Sequence, residues 1–212
     1  MKTATPDEAA HSLTRVVIVH GYGATPRAHW FPWLNSTLTP GGVTVTSPEL
    51  PDPEAPRPGA WEQAVTDALG RPDAGTWVVA HSLGGITALR ALAGLDQPWQ
   101  LGGLILVAGF TGRLAALPAL DDYLDADVDA EGLSRHITAR HLIRSDDDPV
   151  VPPAASDELA RRLGADRHVV TGAGHFLGDD GFTALPTLLP LLPPPAARAT
   201  ATPVARAVDE RA

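Results

Sequence analysis

The sequence predicts an α/β fold, with a mostly parallel sheet of about six strands flanked by helices on both faces. Short runs rich in Val and Ile alternate with longer helix-compatible segments, the signature of strand–helix–strand units. Several of those runs are apolar at consecutive positions, as strands buried on both faces must be. A chain of 212 residues, 44% hydrophobic and 19% charged, suits one compact domain with a sizeable core.

Taken in order, the expected strands are residues 15–20 (RVVIVH), 43–47, 76–81 (TWVVAH), 103–108 (GLILVA), 140–145 (RHLIRS) and 167–171. Helices are expected at about 26–38, 59–69, 83–94, 153–163 and 182–192. The domain is thus expected over 15–192, between a loose leader at 1–14 and a Pro/Ala-rich, disordered tail at 193–212. Function in such a sheet belongs at the carboxyl ends of the strands.

The connection 109–139 breaks the tight alternation. It carries Asp121, Asp122, Asp125, Asp127, Asp129 and Glu131 together with Leu114, Leu117, Leu120 and Leu124. Two readings stand, a cap over the site and a solvated helical excursion. Calcium is disfavoured, because no glycine sits at the sixth loop position from Asp121 and no carboxylate at the twelfth.

Charge and composition exclude several functions. Lys and Arg total 16 against 25 Asp and Glu, a net charge of -9 that repels phosphate backbones, so nucleic acid is not an expected partner. The chain has no cysteine, which excludes disulfides, thiolate catalysis and Cys-ligated metal. Residues 1–13 lack the apolar centre of a signal peptide, and no run approaches the roughly 20 apolar residues of a spanning helix. A cytoplasmic protein with no membrane partner is the expectation.

The most informative stretch is TWVVAHSLGGITALRAL, residues 76–92, where an apolar strand ends at Ala80-His81-Ser82-Leu83-Gly84 and a helix follows. This is the strand–serine–helix setting of a nucleophile elbow, whose sharp turn exposes the hydroxyl and needs small residues two positions to either side. Ala80 stands where glycine is usual, and its methyl is small enough. Leu83 then offers a backbone N–H beside the nucleophile at a helix start, where developing negative charge is stabilised. The plain alternative is that Ser82 merely caps the helix.

Upstream, the first strand runs into His20-Gly21-Tyr22-Gly23, a turn that α/β hydrolases use to supply a second oxyanion donor. The Tyr22 N–H is the candidate. A phosphate-binding glycine turn fails for want of a third glycine. Downstream, the order Ser, then acid, then His continues with Asp146-Asp147-Asp148-Pro149 after one strand and Gly172-Ala173-Gly174-His175-Phe176 after the next. His175 has the pKa range to take the Ser82 proton and return it to a leaving group. On the residues alone, any of the three aspartates could orient it.

His20 and His81 flank this site and have two readings, contact with substrate or hydrogen bonding that packs the strand ends. His11, His29, His136, His141 and His168 form no H-E-x-x-H pair, so no metal and no other cofactor is expected.

With these residues assembled, the chain resembles the small YdeN-type serine hydrolases related to retinoblastoma-binding protein nine. The resemblance is carried by VIVHGYGATPRAHWFPWL (17–34), PELPDPEAPRP (48–58) with Trp61 after it, VVAHSLGG (78–85), DDDPVVP and GAGHF, spanning most of 15–192. It implies a compact α/β-hydrolase fold with little or no cap, and a catalytic set of Ser82, Asp148 and His175, with Asp147 the rival acid. Trp30 and Trp33 are expected either as an apolar pocket wall or as packing against the sheet, and Phe176 as a pocket neighbour of His175. The Pro-rich residues 51–58 form either a rim loop or a rigid connector.

The expected chemistry is acyl transfer from a small ester or amide to water, with an esterase favoured. An amidase or peptidase with the same triad and a non-catalytic interaction protein on the same fold are the rivals.

Overall fold

A computed structural model describes residues 12–196. Six strands form one sheet: β1 Arg15–Val19, β2 Thr44–Thr46, β3 Thr76–His81, β4 Leu101–Val107, β5 Ile137–Ser145 and β6 Asp166–Val170. Their order is β2-β1-β3-β4-β5-β6, and every neighbouring pair is parallel. The helices are α1 Phe31–Leu38, α2 Pro58–Leu69, α3 Leu83–Ala93, the short α4 Asp121–Leu124 and α5 Ala130–Ser134, and α6 Pro153–Leu163.

Consecutive apolar residues make sense once both faces are covered. Every residue of β3 and of β4 is buried. Because side chains alternate along a strand, Val17, Val19, Val78, Ala80, Leu104 and Leu106 join one core, with Trp61 and Val65 of α2, Ile86 and Leu89 of α3 and Leu159 of α6. Val16, Ile18, Val79, Ile105, Val107 and Ile143 join the other, with Phe31 and Leu34 of α1.

Four expectations need correction. The first helix starts at Phe31 rather than near Pro26, because His29 has φ 52 and a right-handed helix cannot run back through that conformation. In place of the helix expected at 182–192 there is a six-residue 3-10 helix, Pro186–Leu191, since Pro190 supplies no N–H to an α-helical ladder.

The inner ends of the expected leader and tail are ordered. Leu13 is buried, its N–H donates to the Pro194 carbonyl (2.9 Å), and the Ala196 N–H donates to the Leu13 carbonyl (3.1 Å). Burial of Leu13 in the second core explains why the body extends past 15 and 192. Residues 1–11 and 197–212 lie outside the described residues.

Finally, the connection 109–139 is not a solvated excursion. Phe110, Leu114, Leu120, Tyr123, Leu124, Val128 and Leu133 are buried in the first core. The Tyr123 hydroxyl meets Thr87 Oγ1 on α3 (2.7 Å), and Arg90 donates to the Tyr123 carbonyl (2.8 Å). The leucines anchor the segment, and its carboxylates pair at the surface, Asp127 with Arg162 and Asp125 with Arg113.

Candidate functional site

The carboxyl ends of β3, β5 and β6 bring three distant parts of the sequence together. Ser82 follows the last residue of β3 in a backbone conformation of φ 52 and ψ -125. For a residue with a Cβ this costs on the order of 1–3 kcal/mol. The surrounding packing outweighs that cost, since β3 is buried throughout and nine residues of α3 are buried. Gly84 shows how tight the turn is, because a Cβ there would lie 2.4 Å from the His20 carbonyl oxygen. At the other small position, Ala80 is completely buried.

Ser82 does not act as a side-chain cap of the helix. Its side chain makes no cap hydrogen bond to α3. Instead Oγ lies 2.9 Å from His175 Nε2. On the far side of the ring, Nδ1 lies 2.7 Å from Asp148 Oδ2. With the imidazole proton on Nδ1, facing the carboxylate, Nε2 can accept from the serine hydroxyl.

Asp148 is itself fixed, its Oδ1 accepting the backbone N–H of Val150 (2.8 Å) and of Val151 (2.9 Å). The run of three aspartates therefore divides its work. Asp148 reaches the ring, Asp147 accepts the Gly174 N–H (2.9 Å), and Asp146 accepts the Gly172 N–H (2.9 Å).

The oxyanion candidates flank the same point. Leu83 opens α3, so its N–H has no acceptor within the helix. Gly21 packs so closely that a Cβ there would lie 3.0 Å from Ser82 Cβ, so the turn that carries Tyr22 runs beside Ser82. The turn is tied down by Gly23, with φ 64 and its N–H on the Pro53 carbonyl (2.9 Å). Beside Tyr22 opens a pocket of about 350 Å³ lined by Glu54, Pro56, Pro58, Leu120, Asp122 and Tyr123 among others. The Pro-rich stretch thus forms part of its rim. Another pocket of about 370 Å³, around Arg71, Pro98 and Trp99, lies before β3 and β4, at the wrong end of the sheet for this chemistry.

The residues expected to contact substrate are mostly interior. Trp30 and Phe176 are completely buried in the second core, where their rings pack beneath the site instead of lining an open wall. Trp33 packs against the same core. His20 is buried, with Nδ1 on the Gly21 carbonyl (2.9 Å) and Nε2 facing the Leu50 N–H (3.3 Å). His81 is buried with Nε2 donating to the His175 carbonyl (2.9 Å). For both histidines the packing role is the one their contacts describe.

Burial pushes the pKa of His81 well below the ordinary 6.5, and the His175 ring beside it pushes the same way. Burial lowers His20 and His29 as well. Three neighbouring imidazoles therefore stay neutral at neutral pH.

Asp180 was not visible as a site residue in the sequence, although it accepts the His175 N–H (3.0 Å). The available signal was its place in an Asp-Asp-Gly turn five residues after His175, since turn aspartates commonly accept nearby backbone N–H groups. Among the described residues, no three His, Asp or Glu side chains converge as a metal site, and no helix is long and apolar enough to cross a membrane.

Residues 16–193 match the sequence profile described as serine hydrolase. The chain belongs to this family. It is 38% identical to YdeN of Bacillus subtilis (strain 168) over 178 residues, 84% of this chain and 94% of YdeN. It is 30% identical to the serine hydrolase RBBP9 of Rattus norvegicus over 171 residues, 78% and 88% of the two chains. The crystal structure of the B. subtilis ydeN gene product superimposes with a TM-score of 0.79, covering 82% of this chain and 94% of that one. A YdeN-like protein from Pectobacterium atrosepticum, 18% identical, shares the fold with a TM-score of 0.62 over 87% of this chain and 90% of its own. The protein is thus a serine hydrolase with the α/β-hydrolase fold.

Proposed function

We propose that this serine hydrolase is a carboxylesterase for small esters, with Ser82 as nucleophile, His175 as general base and acid, and Asp148 as the carboxylate that orients the ring. The observation that carries the reading is the unbroken line Ser82 Oγ to His175 Nε2 (2.9 Å) and His175 Nδ1 to Asp148 Oδ2 (2.7 Å), set on a strained elbow.

As Ser82 Oγ attacks the ester carbonyl carbon, its proton passes to His175 Nε2 and the carbonyl π pair moves onto oxygen. The backbone N–H groups of Tyr22 and Leu83 hold that oxyanion, and each such donor is worth about 100- to 1,000-fold in rate. Collapse of the intermediate breaks the bond to the alcohol, which leaves with the proton from Nε2. Water then gives its proton to Nε2, attacks the acyl-enzyme carbonyl, and frees the acid and Ser82. The Asp148 carboxylate stabilises the imidazolium in both halves.

The pocket of about 350 Å³ beside Tyr22 supports a small substrate, since it sits at the low end of ligand-pocket volumes. The reading is tested with p-nitrophenyl esters of rising acyl length and with aminoacyl p-nitroanilides. Turnover is expected to be fastest on acetate to butyrate esters and to fall on long chains. A preference for long acyl chains, or for the anilides, contradicts it.

A further inference from the structure

His175 sits on a glycine-rich loop between β6 and the Pro186–Leu191 turn, and that loop has little regular structure of its own. Its peptide N–H groups are received by side chains. Gly172 N–H goes to Asp146 Oδ1 (2.9 Å), Ala173 N–H to Ser145 Oγ (3.0 Å), Gly174 N–H to Asp147 Oδ1 (2.9 Å) and His175 N–H to Asp180 Oδ2 (3.0 Å). Further on, Leu177 N–H reaches the same Asp180 oxygen (3.1 Å) and Gly178 N–H reaches His29 Nδ1 (2.9 Å).

Two of these contacts bear directly on the ring. Asp147 and Asp180 grip consecutive peptides, those of Gly174 and His175, one from the loop after β5 and one from downstream. The backbone on either side of His175 is left-handed, with φ 51 at Gly174 and φ 59 at Phe176, so it needs external anchors to stay in place. Asp180 also closes over Gly174, where a Cβ would lie 2.9 Å from its carboxyl carbon.

We propose that Asp147 and Asp180 are positioning residues for His175, fixing its backbone so that one imidazole spans both Asp148 and Ser82. The inference rests on the reading of His175 as base.

The grip is one of acceptance, not charge. A single oxygen of each carboxylate takes both bonds: Asp147 Oδ1 receives the Ser145 hydroxyl (2.5 Å) as well as Gly174, and Asp180 Oδ2 receives His175 and Leu177. An amide oxygen at the same place can do the same. The Ser145 hydroxyl and then the Gly174 N–H hold the Asp147 carboxyl below its ordinary pKa, as expected of an oxygen used this way.

The test compares Asp147→Ala, Asp180→Ala, Asp147→Asn and Asp180→Asn, with His175→Ala as control. Each is measured for kcat and KM on p-nitrophenyl acetate, for its rate of fluorophosphonate labelling, and for its melting temperature. The alanine variants are expected to lose roughly 10- to 100-fold in kcat and labelling rate, with KM within about twofold of wild type. The asparagine variants should recover most of that loss.

Wild-type kcat in the alanine variants overturns the proposal, as does a loss confined to KM. So does an asparagine variant as impaired as its alanine counterpart, which assigns the effect to charge. If one alanine variant fails to fold, the same comparison at the other aspartate decides. Undiminished turnover in His175→Ala instead breaks the reading of the base, whereas an inactive His175→Ala beside unimpaired alanine variants breaks only the positioning claim.

Discussion

Ser82 and His175 meet at 2.9 Å, yet the chain holds them by different physics. The elbow is a packed structure, pressed between a fully buried β3 and α3, with glycines where a Cβ would strike backbone. The His175 loop joins packing to bonding: Ala173 and Phe176 are completely buried in the second core, while Gly172 is exposed and the peptide N–H groups go to carboxylate, hydroxyl and imidazole acceptors. Packing tolerates strain at Ser82 because many buried contacts must be lost together before it moves. The side-chain acceptors around His175 add anchors to that packing that can be removed one at a time.

The largest expected effects come from removing the groups both regions exist to align. His175→Ala should lower kcat on small esters on the order of a million-fold and Asp148→Asn roughly 10,000-fold, with far-ultraviolet circular dichroism unchanged. A loss of only a few fold at Asp148 would return the orienting role to another aspartate.

Next, Gly84→Val strikes the elbow alone. Its Cβ meets the His20 carbonyl oxygen at 2.4 Å, and overpacking of this kind costs about 1–3 kcal/mol or more. Melting temperature and fluorophosphonate labelling should fall together. Retention of both would show that the turn is less constrained than its contacts imply.

A smaller effect separates the regions by pH. His81 is held well below the ordinary 6.5, and His20 and His29 are lowered too. A histidine with a depressed folded pKa stays neutral in the fold while the unfolded chain takes up a proton, so stability rises with pH through that window. The contribution is complete above the unfolded value of about 6.5 and declines as pH falls below it. Melting temperature should therefore drop between pH 7 and 5, with a shallower slope in His81→Gln. A slope unchanged by that substitution would remove His81 from the account.

The same contrast explains what could be read from the sequence. The elbow was legible because packing leaves a pattern: an apolar strand, small residues around Ser82, and a helix with few polar positions. Strand β3 fell at the expected residues, and the ends of the other five within three. The base loop was half legible. Its glycines and His175 stood out, and the family resemblance singled out Asp148 among three chemically identical aspartates, but only the fold gives the Gly172 and Gly174 N–H groups to Asp146 and Asp147. Asp180 had no periodic signal at all.

Burial misled in the other direction. Trp30 and Phe176 have the chemistry of a pocket wall, and nothing local reveals that their rings close into the second core. The leucines of 109–139 likewise gained their meaning from α3 and α2, where Tyr123 meets Thr87 and stacks edge-on against Trp61 at 5.9 Å. Against these, the helix expected at 182–192 failed for a local reason, the proline at 190.

The central claim is that Ser82 is the nucleophile, and fluorophosphonate labelling of the full chain followed by peptide mass spectrometry tests it most directly. One adduct is expected, on Ser82, formed by the wild type and abolished in a folded Ser82→Ala variant. An adduct on any other residue, or labelling that persists in Ser82→Ala, would contradict it.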